Sequence, residues 1–336
     1  MKLVTFSVRG SEPRIGAALG PWDGWQGIVD LHAADPEIPP TMLEFIDRCG
    51  SLAGGTWDRA RRIAREGETG RIPGSAVFPP QDVRLHAPIA PRLLRDFLAF
   101  RSHVIRTRIA MGSKIPEEWD RIPSYYNGNH YSLYGPEDAV PVPRYLVVDR
   151  GERREVATEK LDYEAEVGFV VGVGGRSIEA DRAASHLFGV TVFNDFSARD
   201  VQLTAGKIGM GPGPAKDFAN SLGPCIVTRD EFGPLREQRV TVRVNGTERL
   251  NGRYRELVFE NPLLKEGERP VWSFDEMVAF VSRSQEVRAG EVWGSGTIPG
   301  GCELERGEDA RYLSSGDRVE IAIEGIGVLR NLVAPG

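Results

Sequence analysis

The clearest structural signal in the chain is LDYEAEVGFVVG, residues 161–172, in which apolar and polar side chains alternate. Successive side chains of a β-strand point to opposite faces, so a period of two predicts a strand with one buried face. Glu164 and Glu166 share the other face, where they are either exposed to solvent or close enough to bind one cation together. The predicted buried face carries Leu161, Tyr163, Ala165, Val167, Phe169 and Val171.

Several polar residues follow the next apolar segment of the chain. Residues 187–194, LFGVTVFN, predict a buried strand preceded by a short helix over 180–186. Asp195 comes directly after this strand, where it either belongs to a functional site or caps the following turn. The polar residues that follow it are Ser197, Arg199, Asp200 and Gln202.

The rest of the chain is also rich in strands and turns. The chain contains 39 glycines and 23 prolines, which favours many turns. The Gly- and Pro-rich stretch 67–80 is the best candidate for a linker. We therefore expect an α+β, β-rich protein with a small β-rich domain at 1–80 and a larger domain at 81–336. The further predicted strands are 1–8, 14–19, 25–31, 222–228, 291–296, 318–323 and 328–334, with a hairpin at 239–250 turning at Asn245-Gly246 and helices at 41–48, 57–65 and 274–282.

Apolar residues recur every three or four positions between Leu93 and Ile105, which predicts an amphipathic helix. On a continuous helix Asp96 and His103 would lie on one face, about 10.5 Å apart along the axis. Either both residues act in catalysis, or their roles are structural, with Asp96 as a helix N-cap and His103 as a histidine whose hydrogen bonds only support the fold.

Composition excludes several classes of protein. A net charge of −6 and a pI of about 5.6 are not those of a nucleic-acid-binding protein. Three scattered cysteines without a C-x-x-C pair exclude a zinc knuckle and favour a reducing compartment. The N-terminal apolar run is too short for a signal peptide and no apolar run is long enough for a membrane span, so we expect a cytoplasmic protein. The chain has neither HExxH nor GxSxG, and its two glycine-rich stretches lack the pattern of a nucleotide loop.

Six segments, in this order and spacing, resemble the fumarylacetoacetate hydrolase family. Together they cover about residues 90–332, and the N-terminal third resembles the small domain of the longer family members weakly. The segments are DFLAFRSH at 96–103, LDYEAE at 161–166, NDFSARDVQ at 194–202, KDFANSLGP at 216–224, GTIPGGCELE at 296–305 and GDRVEIAIEGIGVLRN at 316–331.

The resemblance implies a mixed β-sandwich or roll for the catalytic domain and a divalent metal held by four carboxylates. An all-oxygen ligand set suits Mg²⁺, our first choice, or Mn²⁺ or Ca²⁺, rather than zinc. The implied ligands are Asp96, Glu164, Glu166 and Asp195.

The resemblance also implies the roles of the remaining site residues. His103 and Glu305 would form a dyad that activates water, with the glutamate orienting the imidazole. Lys216 and Gln202 would stabilise an oxyanion. The implied substrate contacts are Thr297 and, as a looser match, Tyr126.

The activity implied first is hydrolytic cleavage of a C–C bond in a β-dicarbonyl acid, such as an acylpyruvate or a dioxo acid. Family hydrolases acting on fumarylacetoacetate have a tyrosine where this chain has Leu98 and an arginine where it has Gly112, which makes fumarylacetoacetate itself a poor candidate. A decarboxylase, tautomerase or dehydratase of a 2-oxo acid on the same metal is the alternative, and a non-catalytic ligand-binding paralogue is a third possibility. The family also implies a homodimer.

Overall fold

Strands account for most of the regular structure. The computed structural model describes residues 1–336. Its strands are β1 (Lys2–Val8), β2 (Arg14–Leu19), β3 (Gly27–Asp30), β4 (Val77–Phe78), β5 (Val83–His86), β6 (Leu94–Phe97), β7 (Tyr125–Gly128), β8 (Leu133–Tyr134), β9 (Ala139–Pro141), β10 (Arg144–Asp149), β11 (Glu152–Ala157), β12 (Leu161–Asp162), β13 (Ala165–Val171), β14 (Leu187–Asp195), β15 (Ser197–Ala198), β16 (Asn220–Thr228), β17 (Arg239–Val244), β18 (Thr247–Arg253), β19 (Val292–Gly294), β20 (Arg318–Ile323) and β21 (Gly327–Ala334).

Helices are short and connect or cover the strands. They are α1 (Leu31–Ala34), α2 (Met42–Cys49), α3 (Gly55–Glu68), α4 (Arg101–Ala110), α5 (Ala180–Ala183), α6 (Arg199–Gly206), α7 (Gly213–Lys216), α8 (Arg229–Phe232), α9 (Tyr254–Val258) and α10 (Phe274–Ser284), with 3₁₀ turns at Gly74–Ala76, Pro80–Asp82, Glu117–Asp120, Ala184–His186 and Leu304–Asp309. No helix has the length and apolar character needed to span a membrane.

Two sheets enclose the main core. The larger has twelve strands, with β4-β3-β2-β1-β16-β14-β13-β19-β6-β7 as its main path, and the smaller has five in the order β18-β17-β20-β21-β9. Val167 and Val192 of the large sheet belong to the same buried cluster as Ile321 and Leu329 of the small one. Burial of this apolar surface between the sheets is the main force that holds them together. The expected β-rich α+β class is confirmed.

The N-terminal segment extends the large sheet. β1 pairs with β16 through Lys2↔Val227 and Leu3↔Ile226, and α2 and α3 pack Phe45 and Trp57 into the core on this side of the sheet. Within the predicted linker, β4 pairs with β3. The sheet is therefore continuous across residue 80, and the division into domains at 1–80 and 81–336 stays a prediction.

The helix predicted over residues 93–105 is wrong in its first half. Leu94–Phe97 is β6, hydrogen-bonded between β19 and β7, and the helix α4 begins only at Arg101. All four residues of β6 are buried, so both of its faces are covered and it lacks the alternation that would distinguish it from a helix. Asp96 and His103 consequently lie on different elements.

Most other sequence predictions match the structure closely. The hairpin of β17 and β18 turns at Asn245 and Gly246, both with positive φ, as the Asn-Gly pair predicts. Ser273 caps α10 by accepting from the Glu276 backbone N–H, and the Glu276 side chain accepts in return from the Ser273 N–H. Sequence reasoning missed the hairpin of β10 and β11 and the short strands β7, β8 and β9.

Candidate metal centre

Strands β6, β13 and β14 bring four carboxylates together. Asp96 lies on β6, Glu166 on β13 and Asp195 at the end of β14, while Glu164 comes just before β13. Their carboxylate oxygens lie within 4.8 Å of one another, and the four residues are at most 5% exposed. The structure thus places all four predicted ligands in one buried cluster and excludes a solvated face for Glu164 and Glu166.

A glycine on the intervening strand makes room for this cluster. Gly294 of β19 is paired with Asp96 on one side and with Gly168 of β13 on the other. A β-carbon at Gly294 would collide with Asp96 Oδ1 and would stand 2.7 Å from Glu166 Oε2. The absence of a side chain at Gly294 therefore leaves the space in which the Asp96 and Glu166 carboxylates meet.

The cluster has the chemistry of a site for a hard divalent cation. Asp96 Oδ1, Glu166 Oε1 and Asp195 Oδ1 are buried and have no hydrogen-bond partner. Buried carboxylate oxygens without partners are costly, and a bound cation would satisfy them. All four donors are carboxylates, which fits Mg²⁺, Mn²⁺ or Ca²⁺.

Burial and mutual repulsion shift the pKa values of these acids in different directions. Burial raises the pKa of Glu166 well above its usual value, and the neighbouring Asp96 and Glu164 raise it further. Burial also raises the pKa of Asp195, although the Lys216 ammonium opposes this. For Glu164 the burial effect is outweighed by the cations around it, so its pKa is lowered.

Two buried cations stand against the cluster. Lys216 Nζ lies 2.6 Å from Glu164 Oε2 and 2.5 Å from Asp195 Oδ2, and these two partners raise its pKa despite burial. Arg199 places Nη2 2.7 Å from Glu164 Oε1. Two cations against four carboxylates leave an excess of negative charge that a divalent ion would balance if all four were ionised.

Arg199 is a site residue to which sequence reasoning assigned no role. Its Nε donates to Asp162 Oδ2 at 2.8 Å and its Nη1 to Gln202 Oε1 at 2.9 Å, with the residue 1% exposed. Asp162 in turn accepts from the backbone N–H groups of Glu303 and Leu304. The available signal was an arginine only four residues beyond the carboxylate that ends a buried strand.

The predicted dyad is formed by residues far apart in sequence. His103 on α4 and Glu305 in the 3₁₀ turn Leu304–Asp309 meet with Nδ1 2.6 Å from Oε1. Glu305 Oε2 accepts from the Gly300 backbone N–H at 2.7 Å, which fixes the carboxylate. Because a carboxylate only accepts, Nδ1 carries the proton of the neutral ring and Nε2 keeps a lone pair.

The other predicted site residues also lie around the carboxylates. Tyr126 on β7 donates its hydroxyl to Asp195 Oδ2 at 2.7 Å. Thr297 is 1% exposed and its hydroxyl has no hydrogen-bond partner, so it is free to meet a ligand. Gln202 is held by Arg199, and its carbonyl oxygen is not free.

Comparison with known proteins supports a shared family. The family model of the fumarylacetoacetate hydrolase C-terminal domain matches residues 92–334. Oxaloacetate tautomerase Fahd2a, mitochondrial, of Rattus norvegicus is 27% identical over 336 residues, covering 99% of this chain and 91% of that protein. Oxaloacetate tautomerase YisK of Bacillus subtilis (strain 168) is 28% identical over 319 residues, covering 91% and 92%.

A solved structure shows the same fold. Maleylpyruvate hydrolase from Sphingobium sp. SYK-6, in complex with manganese(II) ion and pyruvate, superposes with a TM-score of 0.65 at 19% identity, covering 100% of each chain. The family match spans more than half of the chain, and the fold agrees with it. The chain belongs to the fumarylacetoacetate hydrolase family.

Proposed function

We propose that this protein is a divalent-metal-dependent tautomerase of a 2-oxo dicarboxylic acid of the oxaloacetate type. The observation that carries the proposal is the His103–Glu305 dyad beside a buried cluster of four carboxylates. Relatives that match 91% to 99% of the chain are named oxaloacetate tautomerases. These names support the tautomerase reading better than the C–C hydrolase that the sequence suggested first.

The reaction needs a base beside an activated 2-oxo acid. A divalent cation held by Asp96, Glu164, Glu166 and Asp195 would supply Lewis-acid polarisation of the 2-oxo group. His103 Nε2 takes a proton from the carbon next to the ketone and transfers it to the enolate oxygen, and in the enol-to-keto direction it carries the proton from the enol hydroxyl back to carbon. Glu305 keeps the His103 ring oriented and stabilises the imidazolium that exists while His103 holds the transferred proton.

Lys216 stabilises the oxygen of the enolate. Two of its three N–H groups donate to Glu164 and Asp195, which leaves one for the substrate oxygen. Burial against two carboxylates keeps the ammonium protonated, since its pKa is raised. It therefore acts as a hydrogen-bond donor and not as the base.

Gln202 does not distinguish a tautomerase from a hydrolase. Its carbonyl oxygen accepts from Arg199, which orients the amide and leaves both amide N–H groups as donors. Gln202 is thus available, with Lys216, to stabilise the oxyanion of either reaction. We propose Mg²⁺ as the physiological metal, with Mn²⁺ as the alternative, and a homodimer as the assembly.

The deciding experiment follows enol oxaloacetate by its ultraviolet absorbance in protein stripped with EDTA and reloaded with Mg²⁺. We expect metal-dependent conversion to the keto form without release of pyruvate, and a loss of about 10² in rate for His103→Ala. Ile109→Ala, an exposed position on the same helix, is the matched control. Cleavage of an acylpyruvate with no effect on the enol would instead establish the hydrolase, and pyruvate formation the decarboxylase.

A further inference from the structure

A second group of potential metal ligands includes the histidine of the dyad. His103, Cys302 and Glu305 each offer a ligand atom, and these atoms lie within 4.8 Å of one another. Glu305 Oε1 is 2.6 Å from His103 Nδ1 and 4.0 Å from Cys302 Sγ. The three ligand atoms are thus close enough to converge on one cation.

Cys302 differs from the other two cysteines. The thiols of Cys49 and Cys225 donate to backbone carbonyl oxygens at 3.1 and 3.2 Å, deep in apolar surroundings. Cys302 donates to no backbone carbonyl oxygen, and its one hydrogen-bond partner is the Glu305 carboxylate at 4.0 Å. It is 0% exposed. Only this thiol therefore faces both a histidine and a carboxylate.

The donor chemistry of this group is unlike that of the four carboxylates. Imidazole, thiolate and a single carboxylate select Zn²⁺ or Cd²⁺, whereas four carboxylates select harder ions. Tetrahedral zinc with ordinary bond lengths would separate neighbouring ligand atoms by about 3.4 to 3.6 Å. The His103–Glu305 pair would open by about 1 Å and the Cys302–Glu305 pair would close by about 0.5 Å, both within reach of side-chain rotation.

We propose that His103, Cys302 and Glu305 form a second metal site, specific for zinc-like ions, whose occupation switches off the dyad. Binding releases the Cys302 thiol proton to solvent, and the cation replaces the proton on His103 Nδ1, which moves to Nε2. The imidazole then has no lone pair facing the substrate and cannot act as a base. Binding does not depend on the proposed tautomerase activity, but the inhibition does.

Cadmium binding to the Mg²⁺-loaded full chain tests the site without reference to activity. We expect one equivalent of Cd²⁺ to give an ultraviolet thiolate-to-cadmium charge-transfer band that excess Mg²⁺ does not remove. Cys302→Ser and Cys302→Ala should lose the band, and Glu305→Gln should weaken Cd²⁺ binding at least about tenfold. Cys225→Ser, another buried thiol, is the control that should keep it.

Two further measurements complete the test. Zinc-edge X-ray absorption of the wild type should show one sulfur ligand at about 2.3 Å. Zn²⁺ should inhibit the Mg²⁺-loaded enzyme at concentrations at least about tenfold lower for the wild type than for Cys302→Ser. A cadmium band that persists in Cys302→Ser, or a zinc shell of oxygen and nitrogen alone, would overturn the site. A normal band without inhibition would overturn the switch while leaving tautomerase activity measurable.

Discussion

Individual residues at the carboxylate cluster are held in an unfavourable arrangement. Three carboxylate oxygens lack any partner, and Glu166 and Asp195 have raised pKa values because they are buried and lie beside other carboxylates. Lys216 and Arg199 relieve only Glu164 and Asp195 directly. Such an arrangement costs stability unless a ligand compensates for it, which is typical of a binding site.

Gly294→Ala tests whether the space left by this glycine is needed for metal binding. The new β-carbon would collide with Asp96 Oδ1 and crowd Glu166, so both carboxylates must move. We expect Mg²⁺ affinity measured by calorimetry to fall at least tenfold, with a loss of about 1–3 kcal/mol in the free energy of unfolding. Gly55→Ala, where a β-carbon meets nothing within 4 Å, should change neither. Unchanged affinity in Gly294→Ala would show that the metal lies elsewhere.

Lys216→Met tests the role of the buried ammonium. Without it Asp195 loses its only cation and Glu164 keeps only Arg199, so the metal-free protein should lose about 3–5 kcal/mol in the free energy of unfolding in urea. Bound Mg²⁺ would replace the missing charge, so the rise in Tm on adding Mg²⁺ should be larger than in the wild type. The exposed Lys207→Met is the control. An equal rise in both variants would contradict the pairing.

At the residue scale, sequence reasoning predicted pairs that are close in the chain and needed the family resemblance for the others. The period of two placed Glu164 and Glu166 on one face, but alternation alone did not distinguish a solvated face from a buried site. His103 and Glu305 are 202 positions apart, so no local pattern connects them. Arg199 was named among the polar residues after Asp195 but was given no role, because the sequence does not show that an arginine is buried.

At the element scale, the exposed hairpin β10–β11 is linked to the helix that begins at Arg199. Asp200 accepts from Thr158 Oγ1 at 2.5 Å and from the Glu159 backbone N–H at 3.0 Å, just after the hairpin ends. The Arg199 N–H also donates to the Lys160 carbonyl oxygen at 2.9 Å. These bonds fix the first turn of α6, and with it the arginine that contacts Glu164.

Asp200→Ala should therefore affect activity from outside the metal cluster. Loss of the two bonds loosens the start of α6, and we expect kcat to fall about tenfold with a smaller change in Mg²⁺ affinity. Asp149→Ala, at the hairpin tip, removes only an exposed ion pair with Arg154 and should leave kcat unchanged. Equal effects of the two substitutions would mean that the link to α6 has no catalytic role.

Elements with clear periodicity or caps were predicted well, and so was the buried strand β14, whereas β6 was not. The alternation that leads into β13 and the cap of α10 are local signals that the sequence shows directly. β6 is enclosed by neighbouring strands on both sides, and its apolar spacing imitated a helix. The environment that hides such a strand from sequence analysis is set by residues nearly 200 positions away.

For the whole molecule, metal binding and pH should be coupled. Carboxylates of unfolded chains titrate near 4, and Glu166 and Asp195 have raised pKa values in the metal-free fold. Above about pH 4 the folded state therefore holds more protons than the unfolded state. The contribution of these two groups to stability falls as the pH rises from about 4 towards their raised pKa values in the folded state. A bound cation favours the ionised forms and removes this loss.

The rise in Tm caused by Mg²⁺ should consequently increase from about pH 5 to about pH 8. Thermal melts with Mg²⁺ and with EDTA across this range provide the measurement. Glu166→Gln, which cannot ionise at that position, should show a smaller and flatter difference. A difference that is independent of pH in the wild type would contradict a site built from carboxylates with raised pKa values.

The pairing of β1 with β16 also constrains how the protein is made. Residues 2–8 leave the ribosome about 220 residues before their partner Val227. At ordinary rates of synthesis this delay is on the order of tens of seconds. During that time one edge of the nascent N-terminal strands stays open and apolar side chains such as Leu3 stay uncovered. The yield of this protein in cells should therefore depend on chaperones that cover this edge during synthesis.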